Sequence, residues 1–182
     1  MGQGLNDAMA TKVILSVIGN DRPGLTQSLA EAVLAAGGNW LESHLSHLGG
    51  NYVGAVLVEL EEENLGLLRT SIQEVDATGL HVSIVPAGED ASAQGYPLSL
   101  ELVGQDRPGI VREVTAVLSS LGVNIEDFGS GTENGSWQGE RLFRANARLS
   151  VPRTLSFDQV RSALEAISGE IMVDLTITPA DA

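Results

Sequence analysis

Val17-Ile18-Gly19-Asn20-Asp21-Arg22-Pro23-Gly24-Leu25 returns 85 residues later as Leu102-Val103-Gly104-Gln105-Asp106-Arg107-Pro108-Gly109-Ile110, with five of the nine positions identical. In the same register Gly37 maps onto Gly122 and Asn39 onto Asn124. The apolar set Leu25, Leu29, Ala32, Val33 and Ala36 maps onto Ile110, Val114, Val117, Leu118 and Leu121. A turn, a helical stripe and a helix stop that all repeat in one register mean a duplicated module.

Outward from the repeated turn, Val13 to Ile18 is a short, mostly apolar run that predicts a central strand buried on both faces or nearly so, whereas Leu98 to Val103 alternates and predicts one wetter face. Pro23 and Pro108 suit the first position of a helix, where φ is preset and no N–H is needed. Gly37 and Gly122 then stop that helix as left-handed residues. Trp40 to Leu48 and Tyr52 to Leu60 read as strands joined at Gly49-Gly50-Asn51, a hairpin signal. Leu65, Leu68, Ile72 and Val75 mark a second helix, and Leu80 to Val85 a closing strand. In the second copy the loop Ser130 to Glu140 is about six residues longer than its counterpart and leads to a strand at Arg141 to Val151. Ser156 and Gln159 predict a capping box, Phe157, Val160, Leu164 and Ile167 a buried helix face, and Ile171 to Thr178 the last strand.

The order βαββαβ, twice, predicts an α+β chain of two ferredoxin-like units, each a four-stranded antiparallel sheet with two helices on one face. The boundaries are 12–86 for the first unit, 87–96 for a linker of small and turn-forming residues, and 97–178 for the second. The helix-free face of each sheet then needs a partner, which predicts association of the copies and a homodimer.

Composition narrows the function. The 182 residues carry 10 Lys and Arg against 24 Asp and Glu, a formal charge of −14. Such a surface repels a phosphate backbone, so no direct nucleic-acid binding is expected. The absence of Cys excludes disulfides, thiolate metal sites and Cys nucleophiles. His44, His47 and His81 have no metal-ligand spacing, no Gly-x-Ser-x-Gly, His-Glu-x-x-His or phosphate-loop motif occurs, and neither an enzyme, a cofactor nor a metal is expected. No run reaches the roughly 18 apolar residues of a membrane span, and the opening residues have no signal-peptide pattern, so the cytoplasm is the expected location.

The repeated Gly-x-Asp-Arg-Pro-Gly turn lies where a strand ends and a helix begins, so helix-start N–H groups offer an anion site. Gly19 and Gly104, without Cβ, would admit a ligand close to the backbone. Asp21 and Asp106 beside those donors would hold an ammonium group, the pair of contacts an α-amino acid needs. The alternative is helix capping, with either carboxylate accepting from Gly24 or Leu25 N–H, or its counterpart. Asn39 and Asn124 read first as turn chemistry.

Asp-Arg-Pro-Gly-Leu/Ile after a short strand, with Gly-x-Asn opening the next, resembles the ACT domain, a small regulatory module that binds amino acids. Two copies over residues 12 to 178 resemble the glycine cleavage system transcriptional repressor family. The resemblance implies ligand contacts from the loop, Gly19, Asn20, Asp21, Arg22, Pro23, Gly24 and Leu25 in one copy and Gly104, Gln105, Asp106, Arg107, Pro108, Gly109 and Ile110 in the other. It adds Asn39 and Asn124, reaching across an interface. It further implies a small amino acid, glycine or serine favoured, and a DNA-binding transcription factor as protein partner. A ligand-free interaction scaffold and a regulatory subunit of a metabolic enzyme are the alternatives.

Overall fold

The computed structural model describes residues 9–77, 79–88, 95–135, 141–171 and 173–179. The chain divides into two units, Met1–Asp90 and Ala91–Ala182. The first comprises β1 (Ala10–Asn20), α1 (Leu25–Ala35), β2 (Asn39–Leu48), β3 (Asn51–Glu61), a short 3-10 turn, α2 (Leu65–Asp76) and β4 (Leu80–Pro86). The second comprises β5 (Gly95–Gln105), α3 (Ile110–Ser120), β6 (Asn124–Asn134), β7 (Arg141–Pro152), α4 (Phe157–Ile171) and β8 (Val173–Pro179). The sheets are ordered β2-β3-β1-β4 and β6-β7-β5-β8, with antiparallel pairing throughout. These are two ferredoxin-like units, as the repeat predicts.

Period-two burial builds each core. Val13, Leu15 and Val17 of β1 and Val56, Val58 and Leu60 of β3 point toward Leu25, Leu29 and Val33 of α1 and Leu68 and Ile72 of α2, all buried. Leu98, Leu100 and Leu102 of β5 pack likewise with Ala145, Leu149, Ile110, Val114, Leu118, Val160 and Leu164. At about 1.5–3 kcal/mol per fully buried aliphatic side chain, these stripes supply the main folding force of each unit.

The first strand differs from its expectation. Ser16 and Ile18 are exposed and Ile14 only half-buried, so β1 is buried on one face; the helices cover that side alone. The linker is shorter than expected. Gly95 and Tyr96 already belong to β5, paired with Pro152 and Val151, and the Tyr96 hydroxyl donates to Leu155 O at 3.1 Å. Burial raises that phenol's pKa.

Much of the long Ser130 to Glu140 segment is strand: β6 runs on to Asn134, which pairs with Arg141, while 136–140 lie outside the described residues. Ile171 ends α4 instead of opening the last strand. In the first unit the hairpin closes with only Gly49 and Gly50 between paired Leu48 and Asn51, both glycines at positive φ, as a two-residue type I′ turn requires.

The duplication extends to irregularities. Both second strands carry a register shift at the same place, between Trp40 and Glu42 and between Ile125 and Asp127. Both first helices end in the same paired bonds, Gly38 N–H to Val33 O and Gly37 N–H to Leu34 O, repeated as Val123 N–H to Leu118 O and Gly122 N–H to Ser119 O. That is the Schellman stop expected at Gly37 and Gly122. The capping box at α4 is also present: Ser156 N–H donates to Gln159 Oε1 at 2.8 Å and Gln159 N–H to Ser156 Oγ at 3.3 Å.

Candidate functional site

Each repeated turn joins the end of a central strand to the start of a helix. Gly24 has φ 93° and ψ −6°, Gly109 φ 100° and ψ −12°. These are the angles of the third residue of a type II turn, with Pro23 or Pro108 as the second. The prolines thus precede the N-cap, and the helices begin two residues later than proline at the first position would give. Only glycine takes that left-handed backbone without strain, so Pro-Gly is the turn itself.

Glycine at the N-cap decides what the aspartates do. Neither α1 nor α3 has a side-chain cap hydrogen bond, and Gly24 O and Gly109 O receive the first helical N–H groups, those of Ser28 and Glu113, at 2.9 Å each. Helix capping is therefore not the role of Asp21 or Asp106. Their backbones extend the sheet, with Asp21 N–H donating to Gly50 O at 3.3 Å and Asp106 N–H to Arg141 O at 2.8 Å. Their carboxylates meet basic side chains from the neighbouring strands. Asp21 Oδ2 lies 2.7 Å from His47 Nδ1, and Asp106 Oδ2 lies 4.0 Å from Arg141 Nε. The N–H groups of Leu25, Thr26 and Gln27, and of Ile110, Val111 and Arg112, have no helical acceptor behind them and carry the positive end of the helix dipole, four to six residues after each aspartate.

Around this shared frame the copies diverge. At the start of α1 the Thr26 and Tyr52 hydroxyls are 2.6 Å apart. Tyr52 pairs with Gly19 as Phe143 pairs with Gly104, and Val111 takes the place of Thr26, so the second copy is apolar where the first has two hydroxyls. Thr132 stands where the first copy has His47, and Arg141 reaches past it, donating to its hydroxyl at 3.0 Å.

Arg107 grips Glu113 on the first turn of α3, Nη2 to Oε2 at 2.7 Å, and also donates to Pro108 O. Arg107's hydrogen bond holds the Glu113 carboxyl below the usual carboxylate range; partial burial opposes this, and the charges of Arg107 and Arg112 add to it. Ser28 is the first copy's counterpart of Glu113.

Gly19 has a different reason from the one expected. A Cβ there would come within 2.5 Å of Gly79 O and 2.9 Å of Leu80 Cα, so its missing side chain is filled by the entry of β4 and not left open for a ligand. Asn20 and Gln105 are the last residues of β1 and β5, with Asn20 exposed. Asn39 opens β2 opposite Glu59, which pairs with Lys12, so it sits at the far end of the sheet from Asp21, nine residues or roughly 30 Å along the strand. Asn124 is placed likewise opposite Ser150 and lines a shallow groove with Arg112, Thr115 and Ser119 of α3. Neither asparagine side chain makes a hydrogen bond among the described residues. Each unit thus gathers its loop residues at one end and its asparagine at the other.

His47, Tyr52 and Thr26 went unread in the sequence as site residues. The signal that finds them is the Gly49-Gly50 turn, which fixes His47 opposite Tyr52 and Tyr52 beside Gly19. The other two histidines pair locally, His44 with Glu42 and His81 with Asp76. Among the described residues no three His, Cys, Asp or Glu side chains are grouped to hold a metal, and no helix is long and apolar enough to cross a membrane.

Residues 11–84 and 92–174 each match the ACT domain. The chain belongs to the ACT-domain family. Its two ACT units account for most of its length. A crystal structure of an unknown protein from Galdieria sulphuraria is similar over 95% of this chain and all of the other, at 28% identity and a TM-score of 0.84. A protein assigned as a glycine cleavage system transcriptional repressor shares the tandem fold over 94% of this chain and 99% of its own, at 15% identity and a TM-score of 0.68. No curated protein matches the chain.

Proposed function

We propose that this tandem ACT protein is a non-catalytic, amino-acid-responsive regulator that acts in the cytoplasm as a homodimer, binding a small amino acid such as glycine or serine and controlling transcription through a DNA-binding protein partner. The observation that carries the ligand reading is the glycine N-cap. With the helix start served by Gly24 and Gly109, the Asp21 and Asp106 carboxylates are not consumed as caps, and the helix whose free N–H groups suit a carboxylate begins four residues after each of them. An α-amino acid presents an ammonium and a carboxylate two bonds apart, and each loop offers the complement of both. The transcriptional partner is an extension from the protein of the same tandem fold, whose assigned role is repression of the glycine cleavage system.

One observation favours a ligand-free scaffold: His47 already meets Asp21 at 2.7 Å, so the carboxylate has a partner without any amino acid. Under the ligand reading, the ammonium displaces His47 as the acceptor's partner. Titration calorimetry of the full chain with glycine and with serine separates the two. Saturable heat for either supports the regulator; none for either, nor for a panel of other small amino acids, leaves the scaffold.

A further inference from the structure

The helix-free faces of the two sheets have opposite chemistry, although the fold is the same. In the first unit the strand registers align Glu42, Leu57, Ile14 and Val85 in one row across β2-β3-β1-β4. The next same-face row is His44, Ala55, Ser16 and Ser83, and the one after is Ser46, Val53, Ile18 and His81. Leu57, Ile14, Val53 and Ile18 thus form an apolar quartet on the two central strands, with Ile18 55% exposed and Val85 46% exposed beside it. In the second unit the same four positions are Arg148, Ser99, Arg144 and Val103. There Arg144 pairs with Glu101 at 2.9 Å and Glu133 at 3.2 Å, and Arg148 with Glu126 at 3.6 Å. The second unit is an internal control: this fold does not require the quartet to be apolar.

We infer that the helix-free face of the first unit is the homodimer interface, covered by the same face of a second copy of this chain. The inference deepens the homodimer of the proposed function by naming its surface. The quartet is symmetric about the Ala55–Ser16 row. A two-fold axis lying between the two faces and running along the strands places Leu57 against Ile14 and Val53 against Ile18 of the second copy. It also places Glu59 against Lys12, since these two face each other across β3 and β1. Glu42 then meets Val85 and not another carboxylate. An isologous contact needs this self-complementarity, and two sheets packed in register with their usual twist provide it.

Charge selects the same occupant. At −14 a second copy is repelled over most of the surface, and it can close only on a patch whose centre is uncharged and whose margin exchanges Lys for Glu. The area suffices. Four strands about 4.8 Å apart over about nine residues cover roughly 600 Å² per copy, and about 1,200 Å² in all reaches the range of specific interfaces.

The experiment is sedimentation equilibrium of the full chain from nanomolar to micromolar concentration. The wild type is expected to be a dimer. Val53→Arg with Leu57→Arg, which installs the second unit's residues, is expected to raise the dissociation constant at least about a hundredfold while far-ultraviolet circular dichroism stays unchanged. Val103→Arg on the second sheet is expected to leave the dimer intact. Lys12→Glu and Glu59→Lys should each weaken association, and the two together should restore it. A monomeric wild type, a doubly substituted chain that stays dimeric, or dissociation by Val103→Arg alone overturns the inference. Amino-acid calorimetry on the same samples reports separately on the ligand reading, so either idea can fail without the other.

Discussion

The Thr26 and Tyr52 hydroxyls share a hydrogen bond of 2.6 Å at the mouth of the first repeated turn, and at the same two positions the second turn has Val111 and Phe143. Duplication kept the frame, Asp-Arg-Pro-Gly on a type II turn, and changed what lines it. The first mouth is polar and its carboxylate is held by His47, whereas the second is apolar and its carboxylate lies 4.0 Å from Arg141.

The first prediction concerns the carboxylates. Asp21→Ala and Asp106→Ala are each expected to weaken glycine or serine binding at their own unit by about 1.5 to 3 kcal/mol, the range for charge-assisted hydrogen bonds. The Asp21 effect should be joined by a smaller loss in Tyr52→Phe, which gives the first mouth the second mouth's ring. Calorimetry measures all three. Unchanged affinity in both aspartate variants, with the fold intact, would place the site elsewhere.

How much of this could be read beforehand follows from which interactions are local. The repeated turn, the Schellman stops at Gly37 and Gly122 and the Ser156–Gln159 box are fixed by residues within a few positions of one another, and the sequence shows them directly. Strand order follows from the alternation of elements. The roles of single residues depend on neighbours distant in the chain: Gly19 is small because β4 enters against it, and Asp21 is held by His47 because a two-residue hairpin sets the β2 register. Proline at the helix start was misplaced by two residues because Pro-Gly supports two local geometries, and only the backbone angles of Gly24 distinguish them.

A second prediction tests the sheet. Gly54 has φ 151°, and a Cβ there would overlap the His44 carbonyl oxygen and come within 2.9 Å of Leu45 Cα on the adjacent strand. Gly54→Ala is expected to cost about 3 kcal/mol or more, from strain and from pushing β2 off β3. Gly66 on α2 has open space around its Cβ direction. Gly66→Ala is therefore expected to be neutral or to stabilise by about 0.5 kcal/mol through helix propensity. Thermal unfolding of both variants makes the comparison; a Gly54→Ala chain as stable as the wild type would contradict the strand register.

The third prediction is acid sensitivity at the second turn. Arg107's hydrogen bond lowers the Glu113 pKa in the folded chain. A depressed carboxyl contributes stability that is fully present above its unfolded value, about 4.3, and is lost as pH falls through the lower folded value. Glu113→Gln should therefore lower the melting temperature near neutral pH, and the difference from wild type should shrink toward pH 3. Because the pair is partly solvent-exposed, the effect is small. A difference that stays constant with pH would mean the carboxylate charge contributes nothing there.

The last prediction is that the chain alone does not bind DNA, and the ion pairs argue it beyond net charge. Half of the ten basic residues, Arg141, Arg144, Arg148, Arg153 and Arg161, fall between the start of β7 and the start of α4, and Arg144 and Arg148 share the helix-free face of the second sheet. Carboxylates meet four of these five arginines, mostly from across the strands. Arg144 lies between Glu101 and Glu133, Arg148 meets Glu126 where the bulge turns it, Arg141 faces Asp106, and Arg161 meets Glu165 one helical turn on. A phosphate would have to displace these partners and approach through the field of 24 carboxylates against 10 basic residues. Within a Debye length of about 8 Å the local field is therefore near neutral or negative. A gel-shift titration with promoter and random duplexes at low salt is expected to show no complex with this protein alone. A complex that forms there and weakens steeply as salt rises would show that these arginines do reach phosphates, and would move any regulatory contact from a protein partner to DNA itself.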